Sequence, residues 1–228
     1  MLQGIPLINI VFELTVFTTS WLFYIATHKN KKTGWIMLAW LIIQGIVSYA
    51  GFYMDASGIP PHFFFAMFPA LLTIALLLIL PSGRAFLDGL DLKTLHWLHA
   101  IRVPVELVLF ALFIEKYIPR LMTFEGRNLD ILSGLSAPFI AYFGFRGNLP
   151  KKNLLLAWNF ICLVLLLNIV ANAALSAPFF FQQQAFDQPN IAILYFPYIW
   201  LPCFVVPVVF VSHIAAIRQL MKKPVDLN

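Results

Sequence analysis

Residues 63–80 read FFFAMFPALLTIALLLIL and residues 154–170 read LLLAWNFICLVLLLNIV. Neither stretch contains a charged side chain, and each is close to the roughly 20 apolar residues that a helix needs to cross a bilayer. The chain of 228 residues is 61% hydrophobic and 11% charged, whereas soluble domains carry about a quarter charged residues. The sequence therefore predicts an all-α integral membrane protein, with residues 1–228 forming one domain.

Seven apolar runs have the length of a membrane span, and segments rich in Gly, Pro, Asn, Asp and Lys separate them. The predicted spans are 5–27, 35–54, 62–80, 92–114, 129–146, 154–176 and 191–216. The first ten residues lack the basic region of a cleaved signal peptide, so we expect the first run to be a retained helix. These features predict a single bundle of seven transmembrane helices.

The distribution of basic residues predicts the orientation of this bundle. If the N-terminus is outside, eleven of the fifteen Lys and Arg residues fall in cytoplasmic segments and three in outer loops. Such a bias favours an N-out, C-in topology, and we expect the plasma membrane, here a bacterial inner membrane. Membrane topology also explains the net charge of +5, so no nucleic-acid partner is predicted. The expected partners are membrane lipids and a small-molecule or lipid ligand.

The fourth span contains LHWLHAIRVPVE, residues 95–106, with four ionisable side chains. At about 100° per residue, His96, His99, Arg102 and Glu106 fall within an arc of about 120° on one helix face. We call these four residues the polar stripe. Charged groups at bilayer depth are costly, so we expect the stripe to face the bundle interior. Pro104 predicts a kink nearby, because proline cannot donate its backbone hydrogen bond.

Arg102 and Glu106 are four residues apart and can pair directly. Two readings of this pair are open: a structural ion pair between helices, or part of a ligand site. In the second reading Arg102 holds an anionic group, Glu106 or Glu13 acts as acid or base, and His99 supports proton transfer. Glu13 lies inside the apolar first span, and it also fits a protonated carboxyl that bonds to a neighbouring helix.

A second set of polar residues is predicted on the outer side, and its candidate ligand-binding members are Asn168, Asn172, Tyr198 and Asp130. The set also includes Glu13, His62 and Tyr195. Arg127 lies in the polar loop 124–130, which is a candidate outer mouth of the site. Asp130 has an alternative role in the first turn of a helix capped by Asn128, where an acid favours the helix dipole. The seventh span contains three prolines, so we expect it to be bent or locally unwound.

His213 in the seventh span is expected at the depth of His96 or His99. Two histidines on different helices at one depth are the minimum for haem b ligation or a metal site. The two cysteines, Cys162 and Cys203, lie in apolar runs and are expected to be free and buried.

Three functions fit these residues. The first, which we favour, is a polar intramembrane pocket centred on Arg102 and Glu106 that binds a small molecule or lipid and is either catalytic or not. The second is an electron carrier with a histidine-ligated haem or metal. The third is a proton-coupled transporter, although the chain shows no inverted repeat.

Overall fold

A computed structural model describes residues 2, 5–55, 58–147 and 149–222. Throughout this part of the chain the regular structure is helical, as the composition predicts. The helices are α1 Pro6–Ala26, α2 Lys31–Tyr49, α3 Phe64–Ile79, α4 Pro81–Asp88, α5 Leu92–Leu98, α6 Arg102–Ile114, α7 Ile131–Gly144, α8 Lys152–Leu175 and α9 Val206–Met221. A 3-10 turn, His99–Ile101, joins α5 to α6, and a π-helical turn, Leu201–Val205, leads into α9.

Four helical segments of the described chain are long and apolar enough to cross a membrane. They are Pro6–Ala26, Leu92–Ile114, Lys152–Leu175 and Leu201–Met221. Helices α3 and α4 meet that test only as a pair, and they are bent by 89° where they join. Helix α7 is apolar but has only 14 residues.

A helix overlaps each of the seven predicted spans, and the seventh differs most from its prediction. The helix begins at Leu201 rather than at 191 and continues to Met221. Pro197 and Pro202 explain the late start, because each lacks the N–H group that a continuous helix would use. The π-helical turn that contains Pro202 confirms the local distortion that the prolines predict.

The 3-10 turn, His99–Ile101, lies within the predicted fourth span and ends three residues before Pro104. A short stretch of 3-10 helix inside a longer helix changes the direction of the side chains that follow it. Helix α5 itself begins after Asp91, whose carboxylate accepts a hydrogen bond from the backbone N–H of Thr94 at 2.8 Å. The turn interrupts the regular helix close to Pro104, and the kink predicted at Pro104 stays a prediction.

The fourth predicted span comprises α5, the 3-10 turn and α6, and helices α1, α7 and α9 pack against it. Helix α7 approaches α6 closely at Gly134, where a Cβ atom would lie 2.7 Å from the backbone nitrogen of Val103 and 2.8 Å from its Cγ2. Only glycine allows this contact, which brings the start of α7 against the start of α6. The contact therefore positions Asp130, just before α7, beside Arg102.

Large apolar side chains are exposed over much of the outer surface, including Leu7, Ile46, Phe68, Phe139 and Val164. Soluble monomers rarely expose apolar patches of this extent. This surface, together with the four long apolar helices, is compatible with insertion in a membrane. Cys162 and Cys203 are free and buried, as predicted.

Two cavities lie on either side of α3. The first, of about 370 Å³, lies between α3, α6, α8 and the start of α9. The second, of about 620 Å³, lies between α2, α3 and α9 and has an apolar lining. Of the 16 residues of α3, only Ala66 and Ala70 are buried.

Candidate functional site

Three ionisable side chains line the cavity of about 370 Å³: Arg102, Glu106 and Asp130. We call it the α3–α8 cavity. The rest of its wall is apolar and comes mainly from α3, α8 and α9. The three polar residues are themselves buried. An apolar cavity with a few convergent polar groups is the usual form of a small-molecule site.

Arg102 and Asp130 form a buried ion pair on the wall of this cavity. The guanidinium Nε donates to Oδ2 of Asp130 at 2.6 Å, and Nη2 donates to Oδ1. Nη2 also donates to the backbone carbonyl of Cys162 at 3.2 Å. Two parallel bonds between guanidinium and carboxylate make this pair geometrically specific. The predicted direct pairing of Arg102 with Glu106 is therefore wrong, because Arg102 forms its two parallel hydrogen bonds with Asp130, the residue just before α7.

The predicted first-turn role of Asp130 is also wrong. Asp130 immediately precedes α7, and its side chain does not cap that helix. The carboxylate instead turns to Arg102, while the side-chain oxygen of Asn128 accepts a hydrogen bond from the Asp130 backbone N–H at 3.0 Å. Asp130 thus links the start of α7 to α6 and does not stabilise the N-terminus of α7 through a side-chain cap.

Glu106 binds Asn128 and not a cation. Nδ2 of Asn128 lies 2.7 Å from each carboxyl oxygen of Glu106 and also donates to the backbone carbonyl of Met122 at 3.0 Å. The orientation of the Asn128 amide is fixed because its oxygen is used by Asp130. Glu106 is 1% exposed, and it lines the α3–α8 cavity beside the ion pair.

A chain of hydrogen bonds starts at Arg102 and runs through His213 and Asn159 to His96. Nη1 of Arg102 donates to Nε2 of His213 at 3.0 Å, and Nδ1 of His213 donates to Oδ1 of Asn159 at 2.8 Å. Nδ2 of Asn159 donates to Nε2 of His96 at 2.9 Å, and Nδ1 of His96 donates to the carbonyl of Leu92 at 2.7 Å. Each imidazole has one donating and one accepting nitrogen in this chain, so both rings fit the neutral form.

His99 stacks on His213, with ring centroids 3.9 Å apart and planes at 20°. The edge of Trp158 completes its surroundings at 5.3 Å. Both ring nitrogens of His99 are buried without a hydrogen-bond partner among the described residues. The prediction that the polar stripe faces the interior is confirmed, since His96, His99, Arg102 and Glu106 are all buried.

The stacked pair does not fit haem ligation. Two imidazoles on one haem iron approach it from opposite faces with their nitrogens directed at the metal, whereas these rings face each other. Both nitrogens of His213 already form hydrogen bonds. Within the described ranges, no three or more His, Cys, Asp or Glu side chains group to hold a metal ion. The haem or metal centre stays a prediction.

A protein-family model for a domain of unknown function, DUF8737, matches residues 59–221. The chain belongs to the DUF8737 family. The matched range contains the α3–α8 cavity, the ion pair and the histidine chain, whereas α1 and α2 precede it. No curated protein and no solved structure matches the chain.

In this DUF8737 protein, the predicted outer residues of α8 hold the loop that precedes α7. Nδ2 of Asn168 donates to the backbone carbonyl of Arg127 at 2.8 Å, and Nδ2 of Asn172 donates to the backbone carbonyl of Asn168 at 3.0 Å. The Arg127 side chain is exposed. None of the three residues lines the cavity. Their contact fixes the segment that carries Asn128 and Asp130.

Two other predicted site residues lie apart from the cavity of the DUF8737 protein. The hydroxyl of Tyr198 donates to Oδ1 of Asn9 on α1 at 2.7 Å. Glu13 is half-buried one turn further along α1. Neither residue lines the cavity with Glu106, so Glu106 is the predicted acid–base residue that the structure brings to it.

Asn159 is the central residue that sequence reasoning missed. Its amide bonds to His96 and His213 and so links α5, α8 and α9. Its position within the apolar run 154–170 indicates such a role, since a polar side chain inside a spanning helix usually bonds to a neighbouring helix.

Proposed function

We propose that this DUF8737 protein is an integral membrane protein that binds a small amphipathic molecule or a lipid in the α3–α8 cavity. The proposal includes seven spans, an N-out, C-in orientation and a bacterial inner membrane. The four long apolar helices and the distribution of basic residues support it. The two shortest spans are α3 and α7, both bordering the cavity or its polar wall.

The observation that carries the proposal is the make-up of the cavity wall. Its volume of about 370 Å³ falls within the roughly 300–1,000 Å³ of small-molecule sites. Apolar side chains of α3, α8 and α9 line most of it, and Arg102, Glu106 and Asp130 provide its ionisable groups. Such a cavity suits a ligand with one polar end and an apolar remainder.

The polar residues have different roles in this proposal. Arg102 and Asp130 satisfy each other, so they fix α6 against α7 and form a polar surface. Among the described residues, Glu106 has only the neutral amide of Asn128 as a side-chain partner, so in this proposal Glu106 is the residue that contacts the ligand. The hydrogen-bonded chain of His213, Asn159 and His96 holds the Arg102 guanidinium through its Nη1 atom. A proton path through this chain is disfavoured because arginine keeps its protons, and ligand binding is therefore preferred over proton-coupled transport.

Ligand binding can be tested by filling the cavity. Val170 lines it from α8, and Val170→Phe should reduce its volume. Val164 lies on the same helix, does not line the cavity and is 64% exposed, so Val164→Phe is the matched control. Native mass spectrometry of protein extracted in mild detergent should find a bound molecule on the wild type and on Val164→Phe, and less of it on Val170→Phe. Equal occupancy of all three proteins would contradict the proposal.

A further inference from the structure

We infer that the polar end of the ligand is a protonated amine, which pairs with the carboxylate of Glu106. This inference rests on the proposed function of the α3–α8 cavity and names the chemical class of its ligand. It departs from the sequence-based hypothesis, in which Arg102 holds an anionic group. Three features of the cavity wall support the change.

The first feature is the charge balance. Three ionisable groups line the cavity, one basic and two acidic. The ion pair between Arg102 and Asp130 uses the single positive charge. Glu106 is left as the acid without a basic partner within ion-pair distance in the described ranges. When Glu106 is ionised, a cation in the cavity would restore electrical neutrality at this wall, and such a cation in turn favours the ionised form of Glu106.

The second feature is the set of contacts of Glu106. Both carboxyl oxygens share one donor nitrogen, Nδ2 of Asn128, at 2.7 Å. A carboxylate has about four acceptor positions, so acceptor capacity remains on Glu106, which is one of the residues that line the cavity. A buried charge is costly unless it is paired and hydrogen bonded. An ammonium group supplies both the opposite charge and up to three N–H donors.

The third feature is that Arg102 has little capacity for an anion. Its Nε and Nη2 are committed to Asp130 and Cys162, and Nη1 bonds to His213. An anionic ligand that reached Arg102 would also lie near two carboxylates. Like charges placed together in a buried site repel each other strongly. The same wall therefore attracts an amine and repels a carboxylate.

The inference can be tested with three probes that share one alkyl chain: n-decylamine, n-decanol and n-decanoic acid. At pH 7 they are cationic, neutral and anionic. Binding is measured as ligand-dependent thermal stabilisation in a non-ionic maltoside detergent. We expect n-decylamine to bind with an apparent Kd at least about tenfold lower than n-decanoate, which corresponds to about 1.4 kcal/mol. The alcohol should fall between them.

Glu106→Gln keeps the shape of the side chain and removes its charge, so it should abolish the preference for the amine. Glu115→Gln makes the same chemical change at an exposed position just after α6 and should keep the preference. If Glu106→Gln does not fold, Val170→Phe replaces it, because a filled cavity should lose the amine preference as well.

The outcomes separate the inference from the proposed function. Equal binding of the three probes, or preferred binding of the acid, would overturn the amine and leave the cavity as a binding site. An amine preference that survives in Glu106→Gln, or in Val170→Phe where that variant replaces it, would overturn the assignment to Glu106. If none of the probes stabilises the protein and Val170→Phe keeps the native co-purifying molecule, the proposed function fails together with the inference.

Discussion

Arg102 forms a two-point ion pair with Asp130 across two helices, while Glu106, one turn along from Arg102, has a neutral partner. This arrangement makes Arg102 and Asp130 one structural unit. Both side chains are almost completely buried, so removing one leaves the other without compensation.

The ion pair should therefore respond differently to single and double substitution. Asp130→Asn should lower the free energy of unfolding by about 3–5 kcal/mol, because it leaves the Arg102 charge unpaired. The double variant Arg102→Leu with Asp130→Leu should recover much of that loss. Thermal unfolding in detergent, followed by tryptophan fluorescence, measures both. A double variant less stable than Asp130→Asn would contradict this view of the pair.

The stacked imidazoles of His99 and His213 should contribute differently to the stability of the protein, because only His213 is hydrogen bonded among the described residues. His213→Leu should destabilise the protein by about 1–3 kcal/mol, because Arg102 and Asn159 each lose a buried hydrogen-bond partner. His99→Leu should cost less, since neither ring nitrogen of His99 has a hydrogen-bond partner in the part of the chain that the structure describes. The two midpoints of thermal unfolding should thus differ clearly. Equal losses would mean that His99 has a polar contact in the folded protein.

Gly134 should tolerate no larger residue. In Gly134→Ala, the added Cβ would lie 2.7 Å from a backbone nitrogen of α6, so α7 must move away from the Arg102–Asp130 pair. We expect a loss of about 1–3 kcal/mol, as for other overpacked contacts. Gly89→Ala is the control, because its Cβ would meet no atom closer than 3.5 Å. Similar melting of the two variants would exclude a tight contact between α6 and α7.

Asp88, at the end of α4, gives a dependence of stability on pH. Hydrogen bonds from Arg218 at 2.7 Å and Lys222 at 2.5 Å hold the pKa of Asp88 below its ordinary value of 3.8. A lowered pKa stabilises the folded protein at pH values above 3.8, and this contribution is lost as the pH falls through the folded-state pKa. Asp88→Asn should therefore lower the melting temperature at pH 7.

The difference between wild type and Asp88→Asn should shrink as the pH is lowered from 5 towards 3. The pair is partly exposed, so we expect a contribution of at most about 1 kcal/mol at pH 7. Melting curves at several pH values measure it. A gap between the two proteins that stays constant over this range would contradict the role of the Asp88 carboxylate.

The buried stripe and the depth of His213 followed from regular helix geometry. A period of about 3.6 residues places His96, His99 and Arg102 on one face whatever the neighbouring helices are. Counting residues from the predicted helix ends placed His213 at the depth of His96 or His99, and in the structure its ring stacks on that of His99. These predictions needed only local geometry and the cost of exposing charge to lipid.

The partners of the stripe could not be predicted in the same way. Arg102 meets Asp130 because the chain between α6 and α7 returns beside α6, where Gly134 allows close contact. Asn159 reaches both His96 and His213 because three helices meet there. Such contacts depend on the relative rotation of helices, and the spacing of apolar residues along a single helix does not determine that rotation.

The position of α3 between two cavities suggests how a hydrophobic ligand reaches the site. Helix α3 lies between the α3–α8 cavity and the second, apolar cavity, and in the proposed membrane arrangement its exposed side chains, such as Phe65, contact the acyl chains. A hydrophobic ligand would then approach from within the bilayer, because it partitions into the membrane and is more concentrated there than in water. Occupancy would follow the ratio of ligand to lipid or detergent. Affinities obtained at different detergent concentrations should therefore agree only when they are expressed as mole fractions.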